Sequence, residues 1–218
     1  MIHSWAVCSR VVASLSLLPL PLAAYELVVR DVGASLLYAP ADFDYSFSGG
    51  GVSRSGTDGF DSGYGIDFRG LYSFTGAGER HGFVADFGGG FVQQSYDAGG
   101  SMSLLGVSVG GGYGFALMDR WDLQGLARLG FGLTTLDIDA SASNPGFSAD
   151  GAYVSYGLSV AASYLVTDRW AVRAELGYNL MSTALDGSGS STVDMDLTMP
   201  SFAVGIFWRV TSMPWRLE

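Results

Sequence analysis

Hydrophobic and polar residues alternate along most of this chain with a period of two. From Trp121, the residues Leu123, Gly125, Ala127, Leu129, Phe131 and Leu133 share one face. Asp122, Gln124, Leu126, Arg128, Gly130, Gly132 and Thr134 share the other. From Trp170, the residues Val172, Ala174, Leu176, Tyr178 and Leu180 oppose Ala171, Arg173, Glu175, Gly177 and Asn179. Both runs open at matching turns, Met118-Asp119-Arg120-Trp121 and Thr167-Asp168-Arg169-Trp170. Successive side chains of a β-strand point to opposite sides, so this period marks strands with unlike faces. An apolar face that begins with Trp at a tight turn and continues for about ten residues has the length of a strand crossing an outer membrane.

Eight such strands can be drawn in one phase, roughly 27–39, 63–74, 82–95, 102–117, 121–136, 152–166, 170–184 and 196–210. The connections after the second, fourth and sixth are short: Thr75–His81, Met118–Arg120 and Thr167–Arg169. Those after the first, fifth and seventh are longer and rich in Gly, Ser and Asp, and the one at Tyr96–Gly100 is the shortest of this second set. Ala98–Met118 is uncharged and long enough for a membrane helix. It holds seven Gly, and its apolar residues alternate with Ser and Gly, which favours a strand. Backbone groups in lipid need internal partners, so a membrane sheet must close on itself. The expected fold is all-β: a closed, eight-stranded, antiparallel up-and-down transmembrane β-barrel over residues 25–210. The last strand puts Phe202, Val204, Ile206, Trp208 and Val210 on one face, whereas Val193, Met195, Leu197 and Met199 have the opposite parity. That change predicts a bulge near Pro200.

Residues 1–24 read as a secretory signal peptide for the Sec pathway: Arg10, then the apolar stretch Val11–Leu22, then a small-residue site at Ala23-Ala24. The only cysteine, Cys8, lies within it, so no disulfide is expected in the exported chain. Residues 211–218 read as a short periplasmic tail.

These features together resemble the small eight-stranded outer-membrane barrels, the group of the OmpA transmembrane domain and OmpX. The resemblance covers about residues 25–210 and rests on signal peptide, strand count, phase and loop alternation. It implies a monomer in the outer membrane of a Gram-negative bacterium, surrounded by outer-membrane lipids and lipopolysaccharide, with a structural or surface-interaction role. The alternatives are a small porin-like channel and a barrel enzyme acting on lipid A or a surface substrate.

Charge narrows the picture further. The formal net charge is −10, and all 11 basic residues are Arg, which speaks against nucleic-acid binding through phosphates. The inward face of the expected barrel holds Asp31, Asp67, Arg69, Asp86, Asp122, Arg128, Arg173, Glu175 and Arg209. Among these, Arg69, Asp86, Arg173 and Glu175 fall at similar depth, with Asp67 and Arg128 slightly higher. Buried charges are costly unless paired, so they are expected to form a mutual network that plugs the lumen. A selective ion path would need a ring of one sign, and the signs here are mixed. Trp121, Trp170 and Trp208 are expected at the membrane interface. The expected outer loops gather Asp42, Asp44, Asp58, Asp61, Asp97, Asp137, Asp139, Asp150, Asp186, Asp194 and Asp196, with Arg54 their only base. Divalent cations could bridge such carboxylates to lipopolysaccharide, though no stretch has the spacing of a dedicated calcium loop. The two histidines, His3 and His81, fall in the signal segment and a periplasmic turn. No catalytic pair can then form at the outer rim, and no enzyme activity, cofactor or resident metal is expected.

Overall fold

The computed structural model describes residues 26–75, 81–96, 99–140, 146–187 and 191–210. The signal segment, the tail, Glu79, Arg80 and Asp97 lie outside the described residues. Ten strands are present: β1 (Glu26–Tyr38), β2 (Ala41–Gly49), β3 (Val52–Phe60), β4 (Ser62–Thr75), β5 (His81–Ser95), β6 (Gly100–Met118), β7 (Trp121–Ile138), β8 (Phe147–Leu165), β9 (Trp170–Gly187) and β10 (Thr192–Arg209). They form one antiparallel sheet in the order β1-β4-β5-β6-β7-β8-β9-β10-β2-β3, and β1 also pairs with β10, so the order closes into a ring. The uncharged run considered as a helix is β6, and among the described residues no helix is long and apolar enough to cross a membrane.

Among the described residues the sheet is thus divided into ten strands, where the sequence suggested eight. The two added strands occupy what looked like the first long loop. Gly50 and Gly51 have φ of 58° and 78°, the left-handed values of a tight two-residue hairpin turn, and this turn folds β2 back on β3. The register explains how they join the ring. From Tyr38↔Phe202 to Asp42↔Thr198 both strands advance four residues, so β2 continues β1 along β10 without a slip. From Tyr38↔Tyr64 to Ala41↔Phe60 the advance is three against four, a one-residue slip at Asp61.

The expected bulge near Pro200 does not exist. β9 and β10 keep one register from Asp186↔Thr192 to Trp170↔Trp208. What changes at Pro200 is the surroundings of each face. Val193, Met195, Leu197 and Met199 point inward, while Phe202, Val204, Ile206 and Trp208 are exposed on the outside. β2 shows the same inversion, with Phe43, Tyr45 and Phe47 packed inward and Asp42, Asp44 and Ser46 exposed. Besides the slip at Asp61, register shifts lie at Val29/Asp31 and Ala116/Met118.

The interior is thus layered. At the hairpin end Met102, Leu104, Leu136, Met181, Leu185, Val193, Met195 and Leu197 form an apolar cluster with Ala41 and Phe60. At the short-turn end Leu71, Leu165, Ala171 and Phe207 form a smaller one. Charged residues fill the space between. The outer face carries an apolar belt that includes Leu36, Phe68, Leu105, Leu129, Leu133, Leu158, Leu176 and Ile206.

Candidate functional site

The charged interior is two ion-pair clusters. In the first, Asp86 is the hub: its Oδ2 accepts from Arg69 NH1 at 2.9 Å and from Arg128 Nε at 2.7 Å. Arg69 also pairs with Asp67. Arg128 reaches Glu175 with both terminal nitrogens, NH2 to Oε2 at 3.0 Å, and gives a third bond to Ser159 Oγ at 2.9 Å. Arg173 donates to Glu175 Oε2 at 3.1 Å and to Gln124 Oε1 at 2.7 Å. The structure therefore brings together Asp67, Arg69, Asp86, Arg128, Arg173 and Glu175: three acids against three bases, from four different strands.

The second cluster joins the two ends of the ring. Arg209 Nε donates to Asp31 Oδ1 at 2.8 Å, and its NH2 lies 3.3 Å from Asp122 Oδ2. Arg30 pairs with Asp31 at 2.9 Å and with Asp122. Arg30 is the inner residue that strand phase alone missed, because strict alternation sends it outward. The slip between Val29 and Asp31 turns both Arg30 and Asp31 inward, each 1% exposed. A signal for it existed: the inward set held five acids and four bases, and Arg30 supplies the missing cation.

Glycines make room for the first cluster. A Cβ on Gly110 would sit 2.2 Å from Asp86 Oδ1 and 2.7 Å from Arg128 Cγ. Above the charges, Gly106 leaves space for the Tyr153 ring, whose hydroxyl would be 2.1 Å from a Cβ there. Between the charges and the apolar roof lies a cavity of about 150 Å³, with Arg69, Arg128, Glu175 and Asn179 below and Met181 and Met199 above.

Trp121, Trp170 and Trp208 lie on the outside at the short-turn end. Trp121 faces Tyr164 at 4.9 Å between ring centroids, and Trp170 meets Trp208 edge-on at 4.8 Å. The Arg169 guanidinium stands 5.7 Å over the Trp208 ring, a cation–π contact. His81 opens β5 at this same end, exposed, with Nδ1 2.6 Å from the Tyr113 hydroxyl. At the opposite end Tyr96 donates its phenol proton to Asp58, which pushes the Tyr96 pKa up to about 12.

Most of the acids expected in outer loops are on strands instead. Asp42 and Asp44 lie on β2, Asp58 on β3, Asp137 on β7, Asp150 on β8, Asp186 on β9, and Asp194 and Asp196 on β10. Asp44 stands directly opposite Asp196, and Asp150 opposite Asp186. Among the described residues no group of three or more His, Cys, Asp or Glu is placed to hold a metal ion.

An antiparallel ring of strands with an apolar, aromatic-edged outer belt and a charge-compensated interior defines an integral protein of the Gram-negative outer membrane. The chain belongs to the outer membrane protein beta-barrel domain family, which it matches over residues 11–209. No curated protein matches it. Among solved structures it is similar in fold to Ail, the attachment invasion locus protein of Yersinia pestis, at 16% identity, covering 84% of this chain and 99% of that one, with a TM-score of 0.42. It is also similar to OprG of Pseudomonas aeruginosa, at 14% identity over 84% and 99% of the two chains with a TM-score of 0.47. The outer membrane protease OmpT of Escherichia coli is similar at 10% identity over 85% and 98%, with a TM-score of 0.49.

Proposed function

We propose that the chain is a monomeric, closed, eight-stranded barrel with a sealed interior and a structural or surface-interaction role, not a channel and not an enzyme. The eight-strand reading joins β1 with β2 and β3 with β4 as two long strands, which the shared register of β1 and β2 on β10 supports. Lipid then covers the belt around Leu129 and Leu176. The reversal of inner and outer polarity in β2 and β10 marks where the wall leaves the membrane and meets water. On this reading the Trp121, Trp170 and Trp208 end faces the periplasm and the β2–β3 hairpin faces outward, where lipopolysaccharide surrounds its acidic face. Residues 1–24 serve as the export signal.

The observation that carries the sealed reading is charge compensation. Arg30, Arg69, Arg128, Arg173 and Arg209 are matched by Asp31, Asp67, Asp86, Asp122 and Glu175, linked by the ion pairs above. A neutral, interlocked layer offers a permeating ion no field of one sign, and entry would require breaking pairs in a poorly hydrated interior. Among the described residues, the cavity above Arg69 and Arg128 favours a channel, as a vestibule in front of a gate. Planar-bilayer recording of the refolded protein separates the two. Silence is expected, and steady ion-selective steps would overturn the sealed reading.

A further inference from the structure

The β2–β3 hairpin carries an open strand edge. β3 pairs with β2, and among the described residues no strand pairs with its other side. The pairing of β4 with β5 stops at Ser62↔Ser95, whereas the hairpin continues for nine more pairs to Gly49↔Val52. A notch in the rim therefore lies beside β3. The two-residue turn makes Gly49↔Val52 a hydrogen-bonded pair, so every second residue from Val52 turns its backbone groups toward β2. Ser53, Ser55, Thr57 and Gly59 turn theirs toward the notch. The Gly59 N–H is met by Asp58 Oδ1 at 2.9 Å. Natural edges are usually blunted by charged side chains, Pro or a bulge; Val52–Phe60 has no Pro or bulge, and its two charges, Arg54 and Asp58, are of opposite sign.

This edge is complementary to itself. Lay a second β3 antiparallel to the first, with Gly56 on the two-fold axis. Ser55 then opposes Thr57 of the second copy as a hydrogen-bonded pair using the open backbone groups, and Ser53 opposes its Gly59, whose N–H exchanges the Asp58 carboxylate for the Ser53 carbonyl. Arg54 opposes Asp58 twice, in the non-hydrogen-bonded positions where side chains come closest. Glycine stands at the axis, where two Cα atoms approach to about 4.5 Å. Arg54 is the hairpin's only base, and this register gives it the Asp58 carboxylate, which within one copy also accepts from the Tyr96 hydroxyl beside β3. An antiparallel partner runs the other way along the strand, so its barrel is inverted. Two copies joined in this way stand head to head, each protruding hairpin entering the notch of the other.

We propose that this protein associates with a second copy of itself across two facing membranes, through antiparallel pairing of the β3 edges centred on Gly56. The geometry of the pairing stands on the hairpin alone, while its cell-surface setting rests on the outward orientation proposed above. The test uses charge reversal. Arg54→Asp places two carboxylates face to face at both pairs, and Asp58→Arg places two cations there. Each variant alone should self-associate about tenfold or more weakly in detergent micelles, measured by sedimentation. Mixed together, the two variants restore opposite charges at both pairs, so the mixture should dimerise again. A folding defect cannot produce that rescue. Gly56→Cys, with Cys8 replaced by Ser, should form a symmetric disulfide dimer on mild oxidation, because the axis separation suits a disulfide. Monomers of the unaltered protein at all concentrations would overturn the proposal, as would a dimer indifferent to both charge reversals. Vesicles of phosphatidylcholine carrying the protein should tether one another, and this arm reports orientation separately. Dimers in micelles without tethering of vesicles would refute the outward placement of the hairpin while leaving the edge pairing intact.

Discussion

Glu175→Gln is the most direct probe of the interior. The substitution keeps the shape of the side chain and removes its charge. Glu175 lies between two guanidiniums, taking two bonds from Arg128 and one at 3.1 Å from Arg173. Its side chain is 13% exposed, and those of Arg128 and Arg173 are 10% and 2% exposed, so water offers little relief. The five-against-five balance becomes five cations against four anions. Asp86 still holds Arg128 through Nε at 2.7 Å, but Arg173 loses its carboxylate and keeps only neutral partners, the Gln124 oxygen and the Phe207 ring among them. Breaking a buried pair of this kind typically costs about 3–5 kcal/mol, a loss of roughly two to four decades in the folding constant. Reversible urea unfolding in lipid vesicles, followed by tryptophan fluorescence, measures this as a lower midpoint at unchanged slope. Adding Arg173→Met should recover part of the loss, because the orphaned cation goes with it, and the double variant should cost less than the sum of the singles. A loss under about 1 kcal/mol with strict additivity would show that these residues do not act as a buried unit.

Phase gives a second expectation: Leu129→Arg and Leu176→Arg, on the outer belt, should each cost about 2–4 kcal/mol, while the polar, uncharged Asn179→Gln, beside the cavity, should cost less. Equal costs in the same unfolding assay would mean that the faces are misassigned. Packing gives a third. Gly110→Ala forces a methyl against Asp86 and Arg128 and should destabilise by about 1–3 kcal/mol, whereas at Gly125, where a Cβ meets nothing within 4 Å, Ala should be neutral or stabilising. A Gly110→Ala midpoint equal to that of the parent would refute the tight fit. Sidedness gives a fourth: a cysteine at Ser53 or Asp139 should react with an impermeant maleimide on intact cells, and one at Arg120 or Arg169 should not. The reverse labelling pattern would invert the proposed orientation.

The sequence by itself determined the strands and their two faces. A period of two is a local property of extended backbone, and it assigned Leu129 and Leu176 to one side and Arg128 and Glu175 to the other without any knowledge of partners. It also located the six central charged residues on one face, because a charge among alternating apolar residues stands out. It could not say which medium each face meets. The parity of β10 looked like a slip near Pro200, yet the register there is unbroken. Apolar residues sit inside above that point and outside below it, because the surroundings exchange while the strand continues. Adjacency across the ring was equally out of reach. Arg128 and Glu175 are 47 residues apart, and Arg209 and Asp31 are 178 apart. These partners meet because closure of the sheet sets the stagger between strands. Arg30 turns inward because one slip at Val29/Asp31 reverses the local alternation. The Gly, Ser and Asp of residues 41–60 read as a loop, since their short side chains carry little strand preference. The Gly50-Gly51 turn was a local signal within the sequence, but pairing with β10, which makes these residues a hairpin of the ring, is supplied by the tertiary structure.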